Sequence, residues 1–217
     1  ADPLVAGVIV QQPLPECMPL RAVNDALDPR KYIDGIHPLN EGLIALGYEG
    51  YLPATAHASV ELLKRSSIEL EGRHAVVVGR SNIIGKPVAQ LLLREHATVT
   101  TCHSRTRDLP AVLRGADSVV VAIGRPAVVT GDRLSPGAVV VDVGINVTKA
   151  GLVGDVDFES AVDVAGAITP VPGGVGPLTN AILLTHLLRA ARDQAAHTVA
   201  PGLPSLRFSE PRREVVS

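Results

Sequence analysis

The sequence predicts an α/β fold built on a doubly wound parallel sheet, with part of a second α/β domain attached. Three observations carry this. AVVVG (75–79), TVTTC (98–102), SVVVAIG (118–124) and AVVVDVG (138–144) recur at about 20-residue intervals, the period of strand–helix alternation. The runs are continuous rather than alternating, as in strands buried on both faces. Segments with helical apolar spacing lie between them.

Taken in order, VAGVIV (5–10) reads as a strand, and RAVNDAL (21–27) and NEGLIALG (40–47) as short helices. HASVELLKRS (57–66) is a longer helix, with Thr55 placed to cap it. AVVVG then begins the sheet. PVAQLLLREH follows, with Pro87 close to the helix start, where its missing N–H costs nothing. RDLPAVLRGAD is a shorter helix between the second and third strands, and GAITPVPG (166–173) adds a fifth strand. LTNAILLTHLLRAARDQA (178–195) is an amphipathic helix whose face of Leu178, Ile182, Leu183, Leu187 and Ala190 must pack on something. The composition from residue 197 is Pro-, Ser- and Arg-rich, so a disordered tail is expected over 197–217. The expected domains are 1–56, 57–175, a returning helix at 176–196, and the tail.

Composition narrows the function. The 217 residues are 46% hydrophobic and 2% aromatic, so Val, Leu, Ile and Ala must fill the core. A net charge of −2 without a basic block argues against nucleic acid as a partner. Apolar runs are too short for a membrane span. Cys17 and Cys102 form no C-x-x-C pair and read as reduced thiols of a cytoplasmic protein. The seven histidines make no ligand-spaced cluster, so no metal is expected.

The stretch AVVVGRSNIIGKP bears the chemistry. A strand that ends at a glycine and leads into a helix points main-chain N–H groups at a phosphate. Gly79 permits the tight turn and Gly85 the close approach of helix to strand. Arg80 and Ser81 supply a charge and a hydroxyl at its tip. An NAD site calls for an acid at the end of the second strand. This strand ends Cys102-His103-Ser104-Arg105 instead, and Arg80 can converge on the same point. That cluster suits a 2′-phosphate, which favours NADP. Read alone, the turn could also hold nothing, with Arg80 merely solvated.

Three further constellations stand out. PVPGGVGPLT (170–179) is stiff at its prolines and open at its glycines, so a flat ligand could reach its main chain; a hinge is the alternative. Asp142-Val143-Gly144-Ile145-Asn146 ends the fourth strand at the ligand-facing edge. Gln11 and Gln12 follow the first strand, and Asp34-Gly35 sits in KYIDGIHPLN. An amide and a carboxylate there could read a heterocycle's edge, although singly they read as loop residues.

Together VIVQQPLP, YIDGIHPLN, AVVVGRSNIIGKP, ATVTTCHSRT, VVVDVGIN and ITPVPGGVGPLT resemble the bifunctional methylenetetrahydrofolate dehydrogenase/cyclohydrolase family, over residues 2 to about 195. The resemblance implies a Rossmann-like NADP domain joined to a folate catalytic domain. It implies oxidation of 5,10-methylenetetrahydrofolate with NADP and hydrolysis of the product to 10-formyltetrahydrofolate. It further implies one-carbon metabolism feeding purine biosynthesis, and a homodimer. By that resemblance Gly79, Arg80 and Ser81 line the cofactor's phosphates and ribose. Ser104 sits by the 2′-phosphate, where the reading of the strand end also puts Arg105, and Ile145 by the nicotinamide. Asp34 holds the pterin, Gln11 positions the catalytic lysine and contacts substrate, and Pro172-Gly173-Gly174 form a folate wall.

The sequence also departs from the family. The Tyr-x-x-x-Lys motif, whose lysine serves the cyclohydrolase step, is absent: Lys31, Lys64, Lys86 and Lys149 do not follow a tyrosine by four. The family's first strands and helices have no counterpart, so an N-terminally truncated form is expected. Asp-Val-Asp-Gly has become Tyr32-Ile33-Asp34-Gly35, and Pro-Cys-Thr-Pro has become Pro53-Ala54-Thr55-Ala56. The alternatives are a non-catalytic NADP-binding or dimerising relic, and a different dehydrogenase on a similar fold.

Overall fold

The computed structural model describes residue 2, residues 4–149 and residues 151–199, of which 197–199 by main chain only. It divides into two compact units: Pro53–Leu183, and the residues up to Leu52 together with those from Leu184 onward.

The Pro53–Leu183 unit is a sheet with helices. α3 (Ala54–Arg65) leads into β1 (His74–Val78), followed by α4 (Gly85–Arg94), β2 (Thr98–Cys102), α5 (Leu109–Leu113), β3 (Ser118–Val121) and β4 (Val139–Asp142). A hairpin of β5 (Asn146–Thr148) and β6 (Gly151–Val153) precedes α6 (Phe158–Val162) and β7 (Ala167–Ile168). The main sheet runs β2-β1-β3-β4-β7, every neighbour parallel. Register puts Cys102, Val78, Val121 and Asp142 in one row at its carboxyl edge. The chain goes from β1 out to β2 and returns to β1's other side for β3, so the order reverses between β1 and β3. A crevice opens at such a reversal.

The five strands fall on the predicted runs: β2 matches its run, β1 begins one residue earlier, and β3, β4 and β7 are shorter. Val76, Val78, Val119, Val121 and Val140 pack with Leu113, Val129 and Leu134 on one face. Val77 and Val120, one residue out of phase, point to the other face and are equally buried, as are Val88 and Leu92 of α4. The β5–β6 hairpin was not predicted, because its strands are three residues each and carry no run.

Thr55 does not cap α3. The helix begins at Ala54 with Pro53 in the capping position, whose carbonyl accepts from His57 N–H at 2.8 Å. Thr55 lies inside the first turn, and its carbonyl accepts from Ser59 Oγ.

The other unit holds α1 (Leu20–Ala26), α2 (Pro38–Ala45) and the part of α7 (Val175–Val199) from Leu184. The strand expected at 5–10 is reduced to one parallel bridge, Val8 to Tyr32. Val8 N–H donates to Lys31 and Ile33 N–H to Val8, and pairing stops there. The partner segment turns away at once: Gly35 N–H donates to Tyr32 C=O with Gly35 at φ +83°. On α7 the predicted face is inward, with Ile182 and Ala190 buried and Leu178, Leu183 and Leu187 partly so. Ile33, Tyr51, Ala190 and Leu187 form the small core of this second unit. The expected tail lies, from residue 200, outside the described residues.

Candidate functional site

The turn after β1 is wedged between its neighbours. Gly79 has φ +135°, and a Cβ there would lie 2.2 Å from the Ala122 carbonyl oxygen. Its N–H donates to Cys102 C=O at 2.9 Å, which ties the turn to the end of β2. A Cβ on Gly85 would lie 2.3 Å from the Gly79 carbonyl oxygen, so α4 begins in contact with the turn it leaves. Both glycines are needed for steric reasons.

Ser81 organises the turn from within. Its Oγ accepts from Ile84 N–H at 3.1 Å and Gly85 N–H at 3.3 Å, which caps α4. The hydroxyl read from sequence as a ligand donor is thus first an acceptor, with its proton still to donate. Among the described residues nothing accepts from the N–H groups of Arg80, Ser81, Asn82 and Ile83. Arg80, Ser81 and Asn82 are exposed. Unused amides at a helix N-terminus form an anion cradle, and the guanidinium adds charge.

The loop after β2 lies beside this turn, since Val78 and Cys102 are register partners. His103 shapes it. Its N–H donates to Thr106 Oγ1, its C=O accepts from Thr106 N–H, and its Nδ1 accepts from Arg105 N–H at 3.1 Å. With the main chain locked, the Ser104 and Arg105 side chains are left exposed. Gly79, Arg80, Ser81, Ser104 and Arg105 therefore come together at one end of the sheet. The loop's one acid, Asp108, caps α5, its Oδ1 accepting from Ala111 N–H at 3.0 Å, and no carboxylate adjoins Ser104 or Arg105 in sequence. These residues fit a phosphorylated dinucleotide.

Ile145, 68% exposed, follows β4 at the same edge. Pro172 and Gly173 are exposed after β7, and Gly174 is partly buried. Gly173 has φ +103° with open space where a Cβ would be, while a Cβ on Gly174 would press on Pro170 C=O at 2.6 Å. An apolar hollow of about 230 Å³ between α3, β4 and β7 includes Gly173 and Gly174 but none of the cofactor candidates.

Gln11 and Asp34 belong to the other unit. They leave the parallel Val8–Tyr32 bridge in the same direction, Gln11 exposed and Asp34 half-buried. Burial raises the Asp34 carboxyl above the ordinary aspartate range. Burial pushes the Tyr32 hydroxyl up to about 12, with the Asp34 charge adding to it.

Residues 53–195 match the family described as tetrahydrofolate dehydrogenase/cyclohydrolase, NAD(P)-binding domain. The bifunctional protein FolD of Roseiflexus is 55% identical over 196 residues, 90% of this chain and 68% of that protein. The family is thereby settled. The chain belongs to the tetrahydrofolate dehydrogenase/cyclohydrolase family. Among solved structures, the FolD dehydrogenase/cyclohydrolase of Campylobacter jejuni superposes with a TM-score of 0.84 at 44% identity, over 87% of this chain and 68% of that one. The Trypanosoma brucei FolD, solved with NADP and an inhibitor, gives 0.82 at 40%, over 88% and 68%.

Within this tetrahydrofolate dehydrogenase/cyclohydrolase chain, two buried carboxylates shape the sheet edge: Asp142, read from sequence only as part of the run that ends the fourth strand, and Asp155, which was not singled out. Asp155, fully buried, accepts from the consecutive N–H groups of Ile123, Gly124 and Arg125 at 2.6–2.9 Å, and from Asn146 Nδ2. It thereby sets the loop after β3, against which Gly79 is wedged. Asp142 accepts from Gly144, Asp155 and Val156 N–H. Burial raises its pKa, and those three hydrogen bonds oppose the shift. Thr169 Oγ1 accepts from Asp142 N–H at 2.8 Å, which ties the start of the Pro-Gly loop to β4. The available signal was Gly144 and Gly154: a Cβ on either would collide with one of these carboxylates.

Proposed function

We propose that this chain carries out the family's folate chemistry: NADP-dependent oxidation of 5,10-methylenetetrahydrofolate to 5,10-methenyltetrahydrofolate, and hydrolysis of that to 10-formyltetrahydrofolate. The observation that carries the reading is the Gly79–Gly85 turn, with unused amides under an arginine and no acid at the end of β2. NADP, when bound, supplies the hydride acceptor. The chain's residues supply placement. Amides 80–83 and Arg80 hold phosphate, Ser104 and Arg105 select the 2′-phosphate, and Ile145 offers an apolar surface to the nicotinamide. Asp34 accepts from the pterin's N–H edge, Gln11 contacts substrate, and Pro172-Gly173-Gly174 flank the folate. Residues 1–56 and the helix at 176–196 belong to the folate part, and 57–175 to the cofactor part. The protein is read as a cytoplasmic homodimer of one-carbon metabolism, supplying purine biosynthesis.

A second reading, an NADP-binding relic, is favoured by one observation on the hydrolytic step. That step wants a lysine free to handle a proton. Lys31 Nζ donates to Asp2 C=O, Lys64 to Glu95 and Lys86 to Asn82. The fourth lysine, Lys149, is exposed at the β5–β6 turn of the Pro53–Leu183 unit, which holds neither Gln11 nor Asp34. Incubation with methylenetetrahydrofolate and NADP separates the readings. NADPH and the methenyl product appear if the chain is a dehydrogenase. Tight NADP binding without turnover leaves the relic. Absence of NADP binding overturns both.

A further inference from the structure

His186 is a buried, polar residue within the apolar face of α7, only 7% exposed. The Leu178–Ile182–Leu183–Leu187–Ala190 pattern passes over it. Its Nδ1 lies 2.8 Å from the Ile33 carbonyl oxygen, 153 positions away in sequence. A carbonyl only accepts, so Nδ1 carries the proton and donates.

Ile33 immediately precedes Asp34. Its N–H donates to Val8 C=O at 3.1 Å, and its C=O receives the imidazole. The residue is therefore pinned at both main-chain groups, and the next peptide begins the turn closed by Gly35 N–H on Tyr32 C=O. The imidazole is itself held. Its ring sits 5.2 Å from that of Tyr51 at 53°, and the Arg189 guanidinium covers Tyr51 at 5.3 Å. Arg189 also reaches Gly50 C=O and pairs with Glu49. Gln194 Nε2, two turns on, donates to Ala6 C=O. One face of α7 thus clamps both segments of the bridge, and a Cβ on Gly7 would strike Ile33 and Leu187.

We infer that His186 is a positioning residue for substrate recognition: through the Ile33 carbonyl it sets where the Asp34 carboxylate points. This rests on reading Asp34 as the pterin-facing carboxylate. An aspartate in a turn, with few contacts of its own, aims at a ligand only as well as its peptide is fixed. A buried carbonyl that loses its donor must seek another, and the turn moves with it.

The test compares the full chain with His186→Leu, which fills the space without a donor, and His186→Asn, whose amide can occupy the Nδ1 position. The Asp34 carboxyl is followed by NMR titration and the Gly35 amide by hydrogen exchange; tetrahydrofolate and NADP affinities are measured alongside. In His186→Leu the Asp34 midpoint moves, Gly35 exchanges about tenfold faster or more, and tetrahydrofolate affinity falls about tenfold. NADP affinity stays within about twofold, and His186→Asn restores all three toward wild type. If the leucine variant does not fold, His186→Gln, which moves the donor one bond outward, takes its place with the same readouts. An unchanged Asp34 titration and Gly35 exchange, or leucine and asparagine variants that behave alike, overturns the proposal. If Asp34 responds but wild type binds no tetrahydrofolate, the folate reading falls and the positioning of Asp34 by His186 stands.

Discussion

The two units of this chain are held together by different means. In Pro53–Leu183 five parallel strands share one row of main-chain hydrogen bonds, and their valines fill both faces. In the unit that ends at Leu52 and resumes at Leu184, one bridge stands where a strand was expected. Its alignment comes from side chains of α7 gripping carbonyls at Ala6 and Ile33. A sheet spreads its register over many equivalent bonds, so losing one changes little. A turn held by one bridge and one imidazole has few contacts to share the loss of either. The first arrangement suits a cofactor cradle made of main-chain amides, and the second a substrate contact made by one carboxylate.

Substitutions sharpen this contrast. The largest effect is expected at Asp155, where Asp155→Ala leaves three consecutive amides without their acceptor and costs about 4 kcal/mol by denaturant unfolding. NADP affinity should fall too, because the loop behind Gly79 loosens. A cost under about 1 kcal/mol would mean that the sheet edge does not need the carboxylate. Gly79→Ala comes next, at about 3 kcal/mol, since a Cβ meets the Ala122 carbonyl at a φ foreign to alanine. Its NADP titration should be weakened more than tenfold. Arg105→Asp acts on binding alone, weakening NADP about tenfold or more while leaving NAD nearly unchanged. Equal weakening of both would remove the 2′-phosphate contact from the argument.

In the other unit the expected effects are smaller. The Asp34 carboxyl is raised by burial, so the fold favours its protonated form. Its contribution is fully present below the unfolded-state value and is lost as pH rises through the folded-state value. Asp34→Asn should therefore make the chain slightly more stable than wild type near neutral pH, with the difference closing toward about pH 3. Tetrahydrofolate binding should show the opposite dependence. If Asp34 is the pterin contact proposed above, wild-type affinity drops on acidification already above the ordinary aspartate range, and the asparagine variant is weak throughout. The smallest effect is at Thr55. Thr55→Ala should change unfolding stability by less than about 0.5 kcal/mol, against about 1 kcal/mol for a true cap.

These differences track what could be read along the chain. The strands at 75–78, 98–102, 118–121 and 139–142 were legible because burial on both faces demands an unbroken apolar run, and such a run is visible without its partners. The inward face of α7 was legible for a similar reason. The run at 5–10 misled, since apolar residues announce burial but not whether a neighbour stays alongside. Thr55 misled because Pro53, two residues earlier, already closes the first turn. In the candidate site, Gly79, Arg80, Ser81, Ser104 and Arg105 were singled out from a strand-to-helix turn and a missing acid, and the structure brings that turn and that loop side by side. Asp155, Thr169 and His186 were not, because each works on a segment at least 27 residues away.

What the amino-acid order determined by itself is therefore local and periodic: strand placement, the glycines of the turn, the charge at its crest and the buried stripe of the last helix. Steric and hydrophobic demands of that kind act between residues a few positions apart or repeat along the chain. Tertiary structure alone decided which carbonyl His186 meets, which amides Asp155 gathers and where the first strand-like run ends. Each rests on a few directional contacts between distant segments, whose partners exist only once the chain has closed on itself.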